Sequence, residues 1–191
     1  MNSICVYCGS SPGARLEYAE AATTLGALLA REKLTLVYGG SNVGLMRILA
    51  DTVMKHGGAV VGVMPRILVE KEVVHRGLTE LVVVETMHER KHLMAERADA
   101  FVALPGGIGT LDELAEIFVW SQLAMHRKPV ALLNVAGFFD PLVAFLDHMV
   151  KERFLRAEQR ETLIVETDAV ALLARLRAYE PRVVDKWLDR R

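Results

Sequence analysis

The sequence predicts a single α/β domain: a doubly wound parallel sheet with helices on both faces. Three observations carry this reading. Short β-branched runs alternate with longer segments of helical period along the whole chain. The strand-like runs are continuously apolar rather than alternating, as strands covered on both faces must be. Most of them end in glycine or proline, where loops at strand C-termini build binding sites in such folds.

The elements follow in order. Residues 4–8 (ICVYC) read as the first strand, closed by Gly9-Ser10-Ser11. Residues 16–32 have helical period, and 35–38 form a second strand ending at Gly39-Gly40-Ser41. A helix over 44–56 leads to a strand over 59–64, stopped by Pro65. Residues 65–78 show no clear period, so this loop is a lid or wall candidate. A fourth strand (81–85), a helix (87–98) and a fifth strand (100–104) precede Pro105-Gly106-Gly107-Ile108-Gly109-Thr110. A helix over 111–124, a strand over 130–134, a helix over 141–152, a weaker strand over 162–165 and a helix over 168–179 complete the domain. The domain is drawn over 1–180, with 181–191 a peripheral tail.

Composition bounds the function. A chain of 191 residues, 52% hydrophobic and 25% charged, can bury a core without disulfides or a structural metal. The net charge of −1 does not point to nucleic acid or an anionic membrane. No apolar run is long enough to span a bilayer, and MNSICVYCGSS lacks the charged start of a secretory signal. A cytoplasmic protein with neither nucleic-acid nor membrane partner is expected. Cys5 and Cys8 are spaced CxxC, but both lie in a strand-like run where residues three apart face opposite ways. They read as two buried strand cysteines rather than a redox pair.

The sharpest chemical signal is the strand–PGGIGT–helix junction. Glycines admit a ligand to the main chain, and a helix N-terminus offers free N–H groups and a positive dipole end to a phosphate. The motif is neither a Walker A loop nor GxGxxG, so a dinucleotide is not indicated. Thr110 and Glu113 spell T-x-x-E, a capping box. The same spacing equally holds Glu113 one turn into a helix beside a bound phosphate, ionised by the helix dipole. Residues 88–92 read HERKH, which has the zincin spacing H-E-x-x-H. Cations at both intervening positions and the lack of an obvious third ligand downstream argue against a metal site. Arg90 and Lys91 then serve either as a phosphate clamp at the end of the fourth strand or as a solvated basic face.

The segments CVYCGSSPG, VYGGSNVGLM, MHERKHLM and ADAFVALPGGIGTLDEL, in this order and spacing, resemble the LOG family. These are the cytokinin riboside 5′-monophosphate phosphoribohydrolases, often mislabelled as lysine decarboxylases. The resemblance runs from Cys5 to about Phe154. It implies a Rossmann-like fold, a homodimer with the site near its interface, and cleavage of adenine nucleoside 5′-monophosphates to free base and ribose 5-phosphate without metal or organic cofactor. It also implies substrate contacts from Glu72, Arg90, Lys91 and the loop Gly106, Gly107, Ile108, Gly109, Thr110, Leu111, Asp112 and Glu113, with Arg90 and Glu113 as the catalytic pair. Arg47, where glycine is usual, and Val119, where plant members often carry threonine, depart from the pattern. The competing readings are a non-catalytic nucleotide carrier or sensor, which would bind AMP and release no base, a zinc hydrolase, and a pyridoxal phosphate decarboxylase, for which Lys91 would be the only candidate lysine.

Overall fold

In a computed structural model that describes residues 1–70 and 74–181, the chain forms one seven-stranded, wholly parallel sheet. The strands are β1 (Ser3–Tyr7), β2 (Thr35–Tyr38), β3 (Val60–Pro65), β4 (Glu80–Val84), β5 (Ala100–Ala103), β6 (Val130–Leu133) and β7 (Leu163–Glu166). The helices are α1 (Leu16–Arg31), α2 (Gly44–Lys55), α3 (Arg66–Val69), α4 (Met87–Arg97), α5 (Ile108–Gln122), α6 (Asp140–Lys151), α7 (Ala157–Glu161) and α8 (Ala169–Arg177). The spatial order is β4-β3-β2-β1-β5-β6-β7. The chain winds outward from β1 in one direction, then returns to β1's other side with β5. The crevice at the C-terminal ends of β1 and β5 is therefore the topological switch point, where such sheets bind ligands.

Period-two alternation divides the core into two layers. Ile4, Val6, Cys8, Leu36, Tyr38, Ala100 and Val102 face α1, α2 and α8. Cys5, Tyr7, Val37, Val61, Phe101 and Ala103 face α4 and α5, with α6 packed at the margin. The two cysteines thus sit on opposite faces, buried and free, as their odd spacing requires. Strands β2, β5 and β6 are buried or nearly so along their length, which explains their uninterrupted apolar runs. Strand β4 is an edge strand and only half-buried although it reads ELVVV, so continuous hydrophobicity does not mark its position. The aperiodic stretch after β3 contains the single helical turn α3, and Val74 bridges back to Ser41. The proposed tail falls almost wholly outside the described residues.

Candidate active site at the β1–β5 switch point

Helix α5 starts three residues earlier than the sequence suggested. Its N-cap is Gly107, which makes no side-chain cap hydrogen bond, and the first helical bond runs from Leu111 N–H to the Gly107 carbonyl at 3.1 Å. The N–H groups of Ile108, Gly109 and Thr110 precede that bond and are the unsatisfied donors of the helix end. The capping-box reading of Thr110 and Glu113 is therefore corrected. Thr110 is already inside the helix and buried, and Glu113 turns away to another partner. The glycines divide by role. A Cβ on Gly106 would overlap the Thr110 hydroxyl and sit 2.8 Å from Gly9 N, so that position is fixed by the close crossing of the β1 and β5 loops. A Cβ on Gly107 or Gly109 would meet nothing within 4 Å, so no protein packing demands glycine there. Both border the cleft, where the missing side chains leave the amides open to a ligand.

A threonine N-cap occurs one helix earlier, with its glutamate reaching back to the residue before the cap. Thr86 Oγ1 accepts from Glu89 N–H at 3.1 Å, and the Glu89 carboxylate accepts from Glu85 N–H at 2.9 Å. This fixes the start of α4 and uses the glutamate of HERKH as a cap. His88 is exposed, and His92 lies on the outer surface, 3.2 Å from Glu96 and edge-on to Trp120. With α4 so anchored, Arg90 points inward. It is 9% exposed, its Nε donates to the Val63 carbonyl at 3.2 Å, and its Nη1 donates to Glu113 Oε1 at 2.5 Å. The alternatives left open for the Arg90-Lys91 pair separate here, because consecutive helix residues point about 100° apart. Lys91 Nζ lies 3.2 Å from Asp112 and 3.1 Å from Glu116, tying α4 to α5. Burial pulls the Lys91 ammonium down, but the two carboxylates outweigh it and hold its pKa above the ordinary value.

Arg90 and Glu113 form a buried ion pair whose side chains are each about 10% exposed. Burial pushes the Glu113 carboxyl up from its ordinary pKa, and the Arg90 guanidinium opposes that shift. The ionised character of Glu113 therefore depends on Arg90 rather than on the helix dipole alone. Cys8, at the end of β1 beside this carboxylate, is held as a thiol by burial and by Glu113's charge, so it is not a nucleophile.

A cleft of about 280 Å³ opens over this pair. One wall is the helix end, Gly107 to Thr110 with Asp112; Gly9 and Ser10 from the β1 loop and Gly39 and Ser41 from the β2 turn form the floor. Met46, Leu68 and Met87 supply an apolar rim. Leu68 comes from the aperiodic stretch, which thus contributes a wall, as expected of it. Of the sequence-derived site residues, the structure gathers Arg90, Gly107, Ile108, Gly109, Thr110, Asp112 and Glu113 around the cleft. Gly106 lies behind it, lining a neighbouring cavity with Tyr18 and Phe138. Lys91 and Leu111 do not line it, Leu111 facing outward on α5. Glu72 lies outside the described residues. Sequence patterns do not single out Ser10, Gly39, Ser41 and Met46 as site residues, although Gly9-Ser10-Ser11 and Gly39-Gly40-Ser41 read as turns after strands.

A parallel sheet with a glycine-bounded cleft at its switch point, holding a buried arginine–glutamate pair, has the architecture of a ligand-binding α/β protein of the enzymatic kind. Residues 46–176 match the family model described as "Possible lysine decarboxylase". The chain is 45% identical to cytokinin riboside 5′-monophosphate phosphoribohydrolase LOG5 of Arabidopsis thaliana, and 48% identical to the probable enzyme of the same description, LOGL9, of Oryza sativa subsp. japonica. Each alignment covers 93% of this chain and 78% of the relative. The chain belongs to the LOG family. Among solved structures, the molybdenum cofactor binding protein of Rippkaea orientalis aligns with a TM-score of 0.71 at 20% identity, over 93% of this chain and 96% of that one. The molybdenum cofactor carrier protein of Chlamydomonas reinhardtii aligns with a TM-score of 0.69 at 20% identity, over 93% and 99%. At that identity the likeness concerns the fold.

Proposed function

We propose that the protein hydrolyses the N-glycosidic bond of adenine-type nucleoside 5′-monophosphates, AMP and N6-substituted AMP, to free base and ribose 5-phosphate. The observation that carries this reading is the buried Arg90–Glu113 pair facing the same cleft as the amides of Gly107 to Thr110. The names of the relatives support it. The 5′-phosphate sits at the start of α5, where helix N–H groups and the dipole favour an anion. That places the sugar over Glu113 and Arg90, with the base toward the apolar rim.

As the C1′–N bond breaks, its electron pair leaves with the base and positive charge develops on the ribosyl carbon. The Glu113 carboxylate, kept ionised by Arg90, stabilises that charge and accepts a proton from the water that attacks C1′. Water supplies the hydroxyl of ribose 5-phosphate, and the base takes up a proton as it departs. Arg90 is a poor proton donor, so its role is to hold Glu113 charged and to orient it. We propose no metal and no organic cofactor in this chemistry. We also propose a two-fold homodimer through the outer faces of α5 and α6. Helix α6 contains no fully buried residue, and Leu123 and Phe145 are 41% and 55% exposed. Phe118, also on α5, faces inward as a core residue and does not belong to this surface.

The test is product analysis by chromatography after incubating pure protein with AMP. Appearance of adenine and ribose 5-phosphate in equal amounts supports the hydrolase. Saturable AMP binding with no adenine released would make the protein a nucleotide carrier.

A further inference from the structure

We infer that Gly39, at the end of β2, is a positioning residue for the Arg90–Glu113 pair: its missing side chain is the space into which the Arg90 guanidinium is seated. The inference rests on the proposed catalytic role of that pair for its activity arm, and on geometry alone for the rest. Arg90 reaches across the sheet end from α4 and is held at two of its three nitrogens, Nε by the Val63 carbonyl and Nη1 by Glu113. The third, Nη2, lies directly over Gly39. A Cβ placed there would overlap Nη2, with Arg90 Cζ at 3.3 Å and Met46 Sδ at 3.4 Å as the next neighbours.

The overlap is selective. Gly39 is not in the left-handed backbone region, so alanine suits its conformation, and no backbone atom is among the three nearest neighbours of the added methyl. The only group that must move is the guanidinium. Its freedom to move is small, because Arg90 is buried and because any retreat of Nη2 lengthens the bonds at Nε and Nη1. Loss of the Nη1 bond releases Glu113 from the charge that opposes its burial, so the carboxyl takes up a proton more readily. One methyl group on β2 thus reaches the carboxylate on α5 through the arginine on α4. Serine or alanine at 39 would fit the backbone as well as glycine does, so the glycine is explained by the arginine.

The test is a double-mutant cycle on the full chain, with Gly39→Ala made in the wild type and in Arg90→Ala, read by thermal unfolding and by AMP hydrolysis. In the wild-type background the substitution is expected to lower Tm. In the Arg90→Ala background, where the methyl has no guanidinium to meet, it is expected to leave Tm unchanged or slightly raised, because alanine restricts the unfolded chain. Gly39→Ala alone is expected to lower kcat by about 100-fold, the usual consequence of displacing a catalytic group by about 1 Å. The acidic limb of its pH–rate profile should also move to higher pH, which a merely structural defect would not cause. Equal loss of Tm in both backgrounds would overturn the inference, and so would a Gly39→Ala enzyme within about threefold of wild-type kcat. If the wild type releases no adenine from AMP, the functional proposal fails, and the unfolding cycle still decides whether Gly39 exists for Arg90.

Discussion

Replacing Glu113 by glutamine separates charge from shape in the buried pair. The substituted amide would keep the volume and one carbonyl acceptor for Arg90 Nη1, which lies 2.5 Å from Glu113 Oε1 in the native pair. What disappears is the negative charge. Removing one partner of a buried pair outright costs about 3–5 kcal/mol, but here a charge-assisted bond of about 1.5–3 kcal/mol becomes a weaker one, so the loss is roughly 1–2 kcal/mol. For a chain of this size that lowers Tm by about 2–8 °C. A capping box would have predicted almost no change, because glutamine caps as well as glutamate; the ion pair is the reason a cost is expected. Turnover should suffer far more. A carboxylate opposing developing positive charge in a desolvated site is comparable to an oxyanion-hole donor, whose removal costs about 10²–10³ in kcat. The assay is adenine release from AMP by the purified variant, alongside equilibrium AMP binding and a thermal melt. Near-wild-type kcat with a lowered Tm would refute the reasoning, since it would make the pair a structural bridge only.

Other outcomes follow from the same geometry. Arg90→Ala removes the charge that counters Glu113's burial, so the carboxyl pKa rises further; because the ionised form is the active one, the acidic limb of residual activity should move to higher pH, measured as a pH–rate profile. Dialysis against a chelator should leave activity unchanged, and elemental analysis should find no stoichiometric zinc, because Glu89 is occupied as a cap and His92 pairs with Glu96 on the surface. Phe145→Glu should convert a dimer to a monomer in light scattering at micromolar concentration with little change in Tm; a wild type that is monomeric in the same measurement would reject the proposed assembly.

The sheet was legible because burial on both faces writes itself as uninterrupted β-branched runs, and all seven strands fall where those runs lie. The edge position of β4 was not, because ELVVV reads like a central strand although half of it is uncovered. Two T-x-x-E matches occur in the chain, and identical spacing does not tell them apart: Thr110 lies inside a helix that begins on glycine, whereas Thr86 is an N-cap. That choice depends on where the backbone first turns helical, which glycine-rich sequence leaves open. Arg90 and Lys91 looked like one basic unit, yet the helical twist sends one into the cleft and the other into an inter-helix bridge. Gly39 and Ser41 read from sequence only as a turn after a strand; their place in the cleft floor depends on β2 neighbouring β1, a pairing that no local pattern records.

The central claim is that the start of α5 holds a 5′-phosphate whose binding positions the glycosidic bond over Glu113. Comparing adenine release from adenosine, AMP and ATP at equal concentration tests it most directly. Each charge-assisted hydrogen bond to the phosphate contributes about 1.5–3 kcal/mol, and remote binding energy of this kind is used to orient the reacting bond. Loss of two such bonds lowers kcat/KM by roughly two to four powers of ten. AMP should therefore be cleaved at least about 100-fold faster than adenosine, with ATP a poor substrate because a closed helix end accommodates one terminal phosphate. Equal release of adenine from adenosine and AMP would contradict the account.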